Sequence, residues 1–418
     1  MNAPRKPLMP LDDALQQLLA HVQPLVEMET VATLEADGRV LAQDLISDLQ
    51  VPAFDNSSMD GYAVRWADVQ KTPAVLKVTQ RIAAGQSSET ALGAGQAARI
   101  FTGAPLPPGA DTVVMQEDTQ PVEGATDDVR FMRAPSLGEW VRLSGEDVKK
   151  GAVALPAGTR LTPAELGLAA SLGVAHVPVL RKPRVALFST GDELVMPGQV
   201  APDQMRPGAI YNSNRFFLRA LLHRMGCEVS DLGIVPDKRE ATLAALKSAA
   251  DHHDLILTSG GVSVGEEDHV KPSVQALGAL DLWQISMKPG KPFAYGHVRR
   301  SEGAHVAHFI GLPGNPVSSF MTFVLLVLPF LRQLTGQAQQ ALQPIRMPAH
   351  FSIAKADRRR EFVRVRRNAQ GGLDLFPNQS SGVLTSIVWG DGVADIPAGQ
   401  TVVAGDMVDY LPFSAWLA

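Results

Sequence analysis

From Val185 onward, short apolar runs alternate with segments of helical spacing, and this rhythm constrains the fold more than any other feature of the chain. Strand-like 185–188 leads to helical 213–225, strand-like 228–234 to helical 238–250, and apolar 255–258 to a glycine turn and helical 268–277. Alternating strands and helices of this length imply a mostly parallel, doubly wound α/β sheet. Such sheets bind ligands in the crevice at the carboxyl ends of their strands. The polar residues just after each apolar run are therefore the first place to look for function.

The flanking regions read differently. Leu11, Leu15, Leu18, Leu19 and Val22 have helical spacing, so an amphipathic helix opens the chain. From Val51 to about Gly158 glycine and proline are frequent, and Leu76 and Val78 alternate with polar neighbours, as in a β-rich domain. Residues 162–173 form a short helix with Thr162 as N-cap and Pro163 at its first position. Packed back on the opening helix, it would make a discontinuous domain. From Pro344 the texture is β again, with Val363 and Val365 between Arg364 and Arg366. At about 150 residues per domain, 418 residues imply two to four domains.

Several functional classes are disfavoured. The one cysteine, Cys227, makes neither an intramolecular disulfide nor a cysteine metal cluster, and it fits a reduced compartment. The apolar stretch 320–331 is interrupted by Pro329 and followed by Arg332, so a buried helix is expected there rather than a membrane span. Asp12 and Asp13 oppose a signal peptide. A net charge of −5 argues against general nucleic-acid binding. A cytoplasmic protein with no nucleic-acid or membrane partner is expected.

Six clusters are candidates for chemistry. The first, TSGGVSVGEED, brings Ser259, Gly260, Gly261 and Ser263 to a strand end and Asp268 to a helix start. Glycines let backbone N–H groups approach a phosphate, and a helix N-terminus favours an anion. A tight turn with an acidic cap is the plainer reading. In KPGKP, Lys288 and Lys291 can face one anion or decorate a solvated turn. In GLPGNPVSS, Asn315 can cap a helix beginning at Pro316, behind Pro313. STGDEL supplies Glu193, and Asp237 follows another strand; ordinary loop polarity accounts for either one alone. PAFDNSSMDGYA crowds Asp55, Asn56, Ser57 and Asp60 into one loop. Residues 355–367 carry a local net charge of +5, including Arg359, where a solvated strand face accounts for at least half of the bases. No histidine pair has convincing metal-ligand spacing, and no Ser/His/Asp set is legible. Anion cradles together with isolated carboxylates point to a phosphorylated ligand, a divalent metal, and phosphoryl or nucleotidyl transfer or cleavage by positioning.

These motifs, with FTGAP around Thr102, occur in the order found in the MoeA family, the molybdopterin molybdenumtransferases to which the C-terminal domain of gephyrin also belongs. The chain resembles that family from about residue 8 to its end. The resemblance implies insertion of molybdate, as substrate, into adenylylated molybdopterin with release of AMP, assisted by Mg2+. It implies a discontinuous elongated domain (1–53 and 146–180), a β-rich lid (54–145), an α/β pterin-binding domain (181–336) and a C-terminal β-barrel (343–418). A homodimer with its site between subunits is implied too, as are the adenylyltransferase and recipient molybdoenzymes as partners. Residue by residue, Asp60, Glu193, Asp237 and Asp268 match the family's acids, the last three as metal ligands. Thr102, Ser259, Gly260, Gly261, Ser263, Lys288, Lys291, Pro313, Pro316, Arg359 and Ser381 match substrate-binding positions. Arg358, Ser380 and Trp389 depart from the small residues the family has at those places. An adenylyltransferase acting one step earlier and a scaffold without catalysis are the alternatives. The additional β domains oppose the first, and the retained acids oppose the second.

Overall fold

The computed structural model describes residues 8–261, 269–302, 305–337 and 342–417. Its central layer is a six-stranded sheet. In chain order the elements are β1 (Arg184–Thr190), α1 (Ser213–Arg224), β2 (Glu228–Val235), α2 (Arg239–His252), β3 (Leu255–Ser259), α3 (Val270–Leu277), β4 (Gly278–Gln284), β5 (Pro292–Arg299) and β6 (Val306–Leu312). Across the sheet the order is β2-β1-β3-β6-β5-β4. The first four are mutually parallel, and β5 runs antiparallel to both β6 and β4. The sheet is therefore mixed.

The pleat divides the apolar side chains of each strand between two helical layers. Val185 and Leu187 join one core with Leu218 and Leu222 of α1, and Ala186 and Phe188 join the other with Leu246 of α2 and Val270 and Val274 of α3. Phe188, Leu257 and Phe309 are fully buried, so the sheet is covered on both faces, as its near-continuous apolar runs require. The first core also takes in the helical run Pro316–Leu334, whose centre widens into a π-turn over Phe323–Val327. That run is 19 residues long and apolar enough to cross a membrane, yet 78% of its apolar window is buried inside the protein. Cys227 packs in this core, and burial pushes its thiol up to about 12.

The opening helix, Leu11–Ala20, also packs here through Leu11, Ala14 and Leu18. This corrects the expectation that it pairs with the helix Pro163–Ser171. That second helix has Thr162 as its N-cap, as anticipated, closes a capping box with Glu165, and builds a separate core. Ala36, Leu41 and Leu45 meet Val148, Leu155, Ala169 and Val177 there, so two distant chain segments share one interior.

Between those segments lies a second six-stranded sheet. It runs Thr112–Met115, Gly61–Val64, Gln96–Ile100, Ala74–Ile82, Ala125–Phe131, Thr119–Val122, with one parallel pair at its centre. The C-terminal sheet has the order Met287–Lys288, Arg360–Arg367, Gly392–Ile396, Met407–Pro412, Ile345–Pro348. Its hydrogen-bonded path ends on two different strands, so the C-terminal β-barrel anticipated from the resemblance takes the form of a half-barrel. Its first strand comes from the KPGKP segment of the α/β region, with Lys288 paired in register to Glu361.

Candidate functional site

A cleft of about 690 Å3 opens at the carboxyl edge of the central sheet. It lies where the chain order reverses, since β1 connects to β2 on one side while β3 lies on the other. No strand connection crosses the sheet edge at such a point, which leaves room for a ligand. Thr190 and Glu193 line the cleft after β1, Ser259, Gly260 and Gly261 after β3, and Pro313, Gly314, Asn315 and Pro316 after β6. Three separate sequence motifs thus meet in one place.

Backbone geometry builds the walls. Gly260 has φ +93°, and a Cβ there would sit 2.9 Å from the Thr190 carbonyl oxygen. Its N–H donates to Leu312 O at 3.1 Å, tying the β3 loop to the end of β6. Gly191 has φ +139°, and a Cβ there would fall 2.5 Å from the Glu193 carboxylate. Both loops close only because those side chains are missing.

The sequence reading missed Asn212 and Asn214. Asn212 is the N-cap of α1, accepting from Arg215 N–H at 3.2 Å. Asn214, 7% exposed, donates through Nδ2 to Ser259 Oγ at 2.8 Å and to Gly314 O at 2.7 Å. One side chain thereby braces two walls of the cleft. An Asn-Ser-Asn run at a helix start was the available signal.

The C-terminal sheet completes the rim. Gly382 lines the cleft, and Ser381 O accepts from Val317 N–H at 3.0 Å, in the first turn of the helix beginning at Pro316. That contact uses one of the N–H groups expected to meet an anion. Asn315 is at the N-cap position, but its side chain makes no capping bond, contrary to expectation. The 380–386 loop is held from below by Arg364. Its guanidinium, 1% exposed, donates to Ser386 Oγ at 3.1 Å and Ser380 O at 3.3 Å, and burial pushes it down to about 10. The apparent alternation around Arg364 therefore does not mark a solvated face.

Lys288 and Arg359 are brought near one another and are both ion-paired. Lys288 Nζ lies 2.5 Å from Glu361 and 3.5 Å from Asp357. Arg359 donates to Asp357 through Nε at 3.1 Å and Nη2 at 3.0 Å. These hydrogen bonds hold the Asp357 carboxyl well below the usual carboxylate range. Of the other bases in this stretch, Arg360 pairs with Asp395, Arg367 pairs with Asp391, and Arg366 stacks on Trp389. A second cavity, of about 330 Å3, is lined by Lys288, Lys355, Asp357, Glu361 and Gln379.

Asp60 and Thr102 meet each other but are not among the residues lining either cavity. Thr102 donates its backbone N–H and its hydroxyl to Asp60 Oδ1, each at 2.8 Å, which lowers the pKa of this exposed carboxyl. Lys291 and Asp237 lie on the same sheet edge outside the cleft lining, Asp237 just past β2 and Lys291 just before β5. Ser263 and Asp268 fall outside the described residues. Among the described residues no three His, Cys, Asp or Glu side chains converge as metal ligands.

Comparison with known proteins adds a decisive observation. Three family models cover the chain in sequence: the MoeA N-terminal region (domain I and II) at residues 9–173, a probable molybdopterin binding domain at 186–333, and the MoeA C-terminal region (domain IV) at 346–413. The chain belongs to the MoeA family. A Haemophilus influenzae protein named molybdopterin molybdenumtransferase is 38% identical, over 97% of this chain and 99% of its own. A Nostoc protein of the same name is 37% identical, over 90% of this chain and 87% of its own. Among solved structures, a molybdopterin biosynthesis MoeA protein from Pyrococcus horikoshii superposes with a TM-score of 0.82 at 28% identity, covering 97% of this chain and 99% of that one. The cleft lies within the segment that matches the probable molybdopterin binding domain, except for Gly382, which belongs to the C-terminal region.

Proposed function

We propose that the protein is a molybdopterin molybdenumtransferase that inserts molybdate into adenylylated molybdopterin and releases AMP. The carrying observation is the cleft at the reversal point of the central sheet, lined by Gly260, Gly261 and Gly314 and braced by Asn214. Such a wall suits a phosphorylated, ring-bearing ligand, because glycines let the ligand approach the backbone closely. Lys288, Lys291, Arg359 and Ser381 are the proposed contacts to the oxyanion. Glu193 is placed to accept a proton or orient water at the cleft edge.

Asp60 and Thr102 enter this reading through a homodimer, in which the lid of one subunit reaches the cleft of the other. Leu34 at 89% exposure, Ile46 at 55% and Val153 at 50% give the unit that carries the lid an apolar surface suited to a partner. Asp60→Ala is expected to fold and to lose turnover by on the order of 100-fold. Mixing it with Gly260→Ala, which obstructs the cleft wall, after subunit exchange should restore about a quarter of the wild-type sites, since one site in each hybrid dimer is then intact. No recovery on mixing would put the site within a single subunit.

AMP release is the direct test. Purified protein is mixed with adenylylated molybdopterin, with and without molybdate and magnesium. Molybdate-stimulated release with cofactor formation supports the transferase. Binding without release favours a scaffold, and synthesis of the adenylylated ligand from molybdopterin and ATP favours the adenylyltransferase.

A further inference from the structure

Two of the three cations proposed to meet the oxyanion, Arg359 and Lys288, are already engaged. Arg359 is gripped by Asp357 through two side-chain hydrogen bonds, at 3.0 and 3.1 Å. Lys288 approaches the same carboxylate at 3.5 Å. A bidentate carboxylate on a guanidinium has the geometry that a tetrahedral oxyanion would adopt there, with two oxygens on two parallel N–H donors. The cavity of about 330 Å3 beside them, lined also by Lys355, gives such an anion room to enter.

We propose that Asp357 is a built-in competitor for the oxyanion, occupying Arg359 and Lys288 until the substrate anion takes its place. This rests on the transferase reading and adds to it a residue that sets the affinity of the anion subsite. The neighbouring acid is unsuited to the role. Glu361 is 8% exposed and sits in the sheet ladder opposite Lys288, so it is a fixed partner. Asp357 lies in the loop before that strand, with its side chain 20% exposed. Its backbone is anchored separately, because its carbonyl accepts from Gly399 N–H at 2.7 Å. Rotation of the Asp357 side chain alone is therefore enough to release the Arg359 guanidinium and to remove one of the two carboxylates facing Lys288, which keeps Glu361.

Every entering anion must displace one carboxylate charge. A dianion such as molybdate recovers more from two cations than a monoanion does, so the exchange favours dianions.

Asp357→Asn removes the charge and keeps the shape. Its amide oxygen can still accept from Arg359 N–H, a bond of 3.0 Å in the wild type, so the loop turn is retained. The full-length protein and D357N are titrated with molybdate and, separately, with sulfate by calorimetry, and AMP release is followed in both. D357S is a second neutral variant should the amide itself perturb the loop. The expected result is roughly tenfold tighter binding of both anions to the variants. Equal or weaker binding overturns the proposal and makes Asp357 a residue that orients Arg359. If wild type releases AMP on adding molybdate but the variants bind no more tightly, the competitor fails and the transferase stands. If molybdate stimulates no release while sulfate still binds more tightly to D357N, the transferase fails and the competitor stands.

Discussion

Two regions of this molecule carry anion-binding signals, and they are built in opposite ways. The cleft on the central sheet is made from backbone: glycines at positive φ and a neutral asparagine brace. The Lys288–Arg359 region is made from charge, and the structure finds that charge already spent on Asp357, Glu361, Asp395 and Asp391. A glycine loop keeps its open shape whether or not ligand is present. A cluster of arginines collects carboxylates during folding, so its sequence excess overstates what a ligand will meet.

The contrast can be tested from its largest expected effect downward. Gly260→Ala forces a side chain into a left-handed backbone 2.9 Å from Thr190 O, at a cost of about 2 kcal/mol. Ligand binding should weaken by roughly thirtyfold, measured as the Kd for adenylylated molybdopterin. An unchanged Kd would show the cleft to be more pliable than its geometry implies. Asn214→Ala removes two buried hydrogen bonds and should lower stability by about 1–2 kcal/mol. KM should rise more than kcat falls, because a wall is loosened and no reacting group is lost; steady-state kinetics would reveal the reverse split.

Changes in the charged region should be smaller. Lys288→Ala should weaken the ligand by only about threefold, since the lysine is already neutralised by Glu361 and Asp357. A loss of a hundredfold would mean that Lys288 leaves both carboxylates when ligand arrives. Acid gives the mildest effect. The folded-state pKa of Asp357 lies below its ordinary 3.8, so its pairing stabilises the fold above that pH and is lost as pH falls through the lowered value. The pair is partly solvated, so this amounts to under about 1 kcal/mol. Urea midpoints at pH 6 and pH 3 should show a smaller decline for D357N than for wild type.

The alternation after Val185 was enough to anticipate the central sheet and the edge that carries the cleft, because strand and helix periods are local properties of the chain. The meeting of STGDEL, TSGG and GLPGNP follows from the parallel order, which forces successive loops to one edge. Other features depend on contacts distant in sequence. Nothing local to Arg364 shows that its guanidinium is buried beneath Ser380 and Ser386. The opening helix has the same amphipathic pattern whether it packs on Pro163–Ser171 or, as it does, on the α/β core. The edge strand of the half-barrel could not be read from the β-rich tail, since it is Met287–Lys288, where KPGKP begins.

That borrowed strand, Met287–Lys288, has a bearing on how the protein can be cut and recombined. A split just before residue 343 would look natural from composition, yet it would strip the ladder partner from Lys288 and bare the edge of the Arg360–Arg367 strand at Arg360 and Glu361. Fragments expressed separately should tend to aggregate through that edge or to reassociate through it. A chimaera that exchanges the tail for a relative's would have to carry residues 285–292 along with it. For inheritance as for engineering, the KPGKP segment and the C-terminal sheet behave as one exchangeable part.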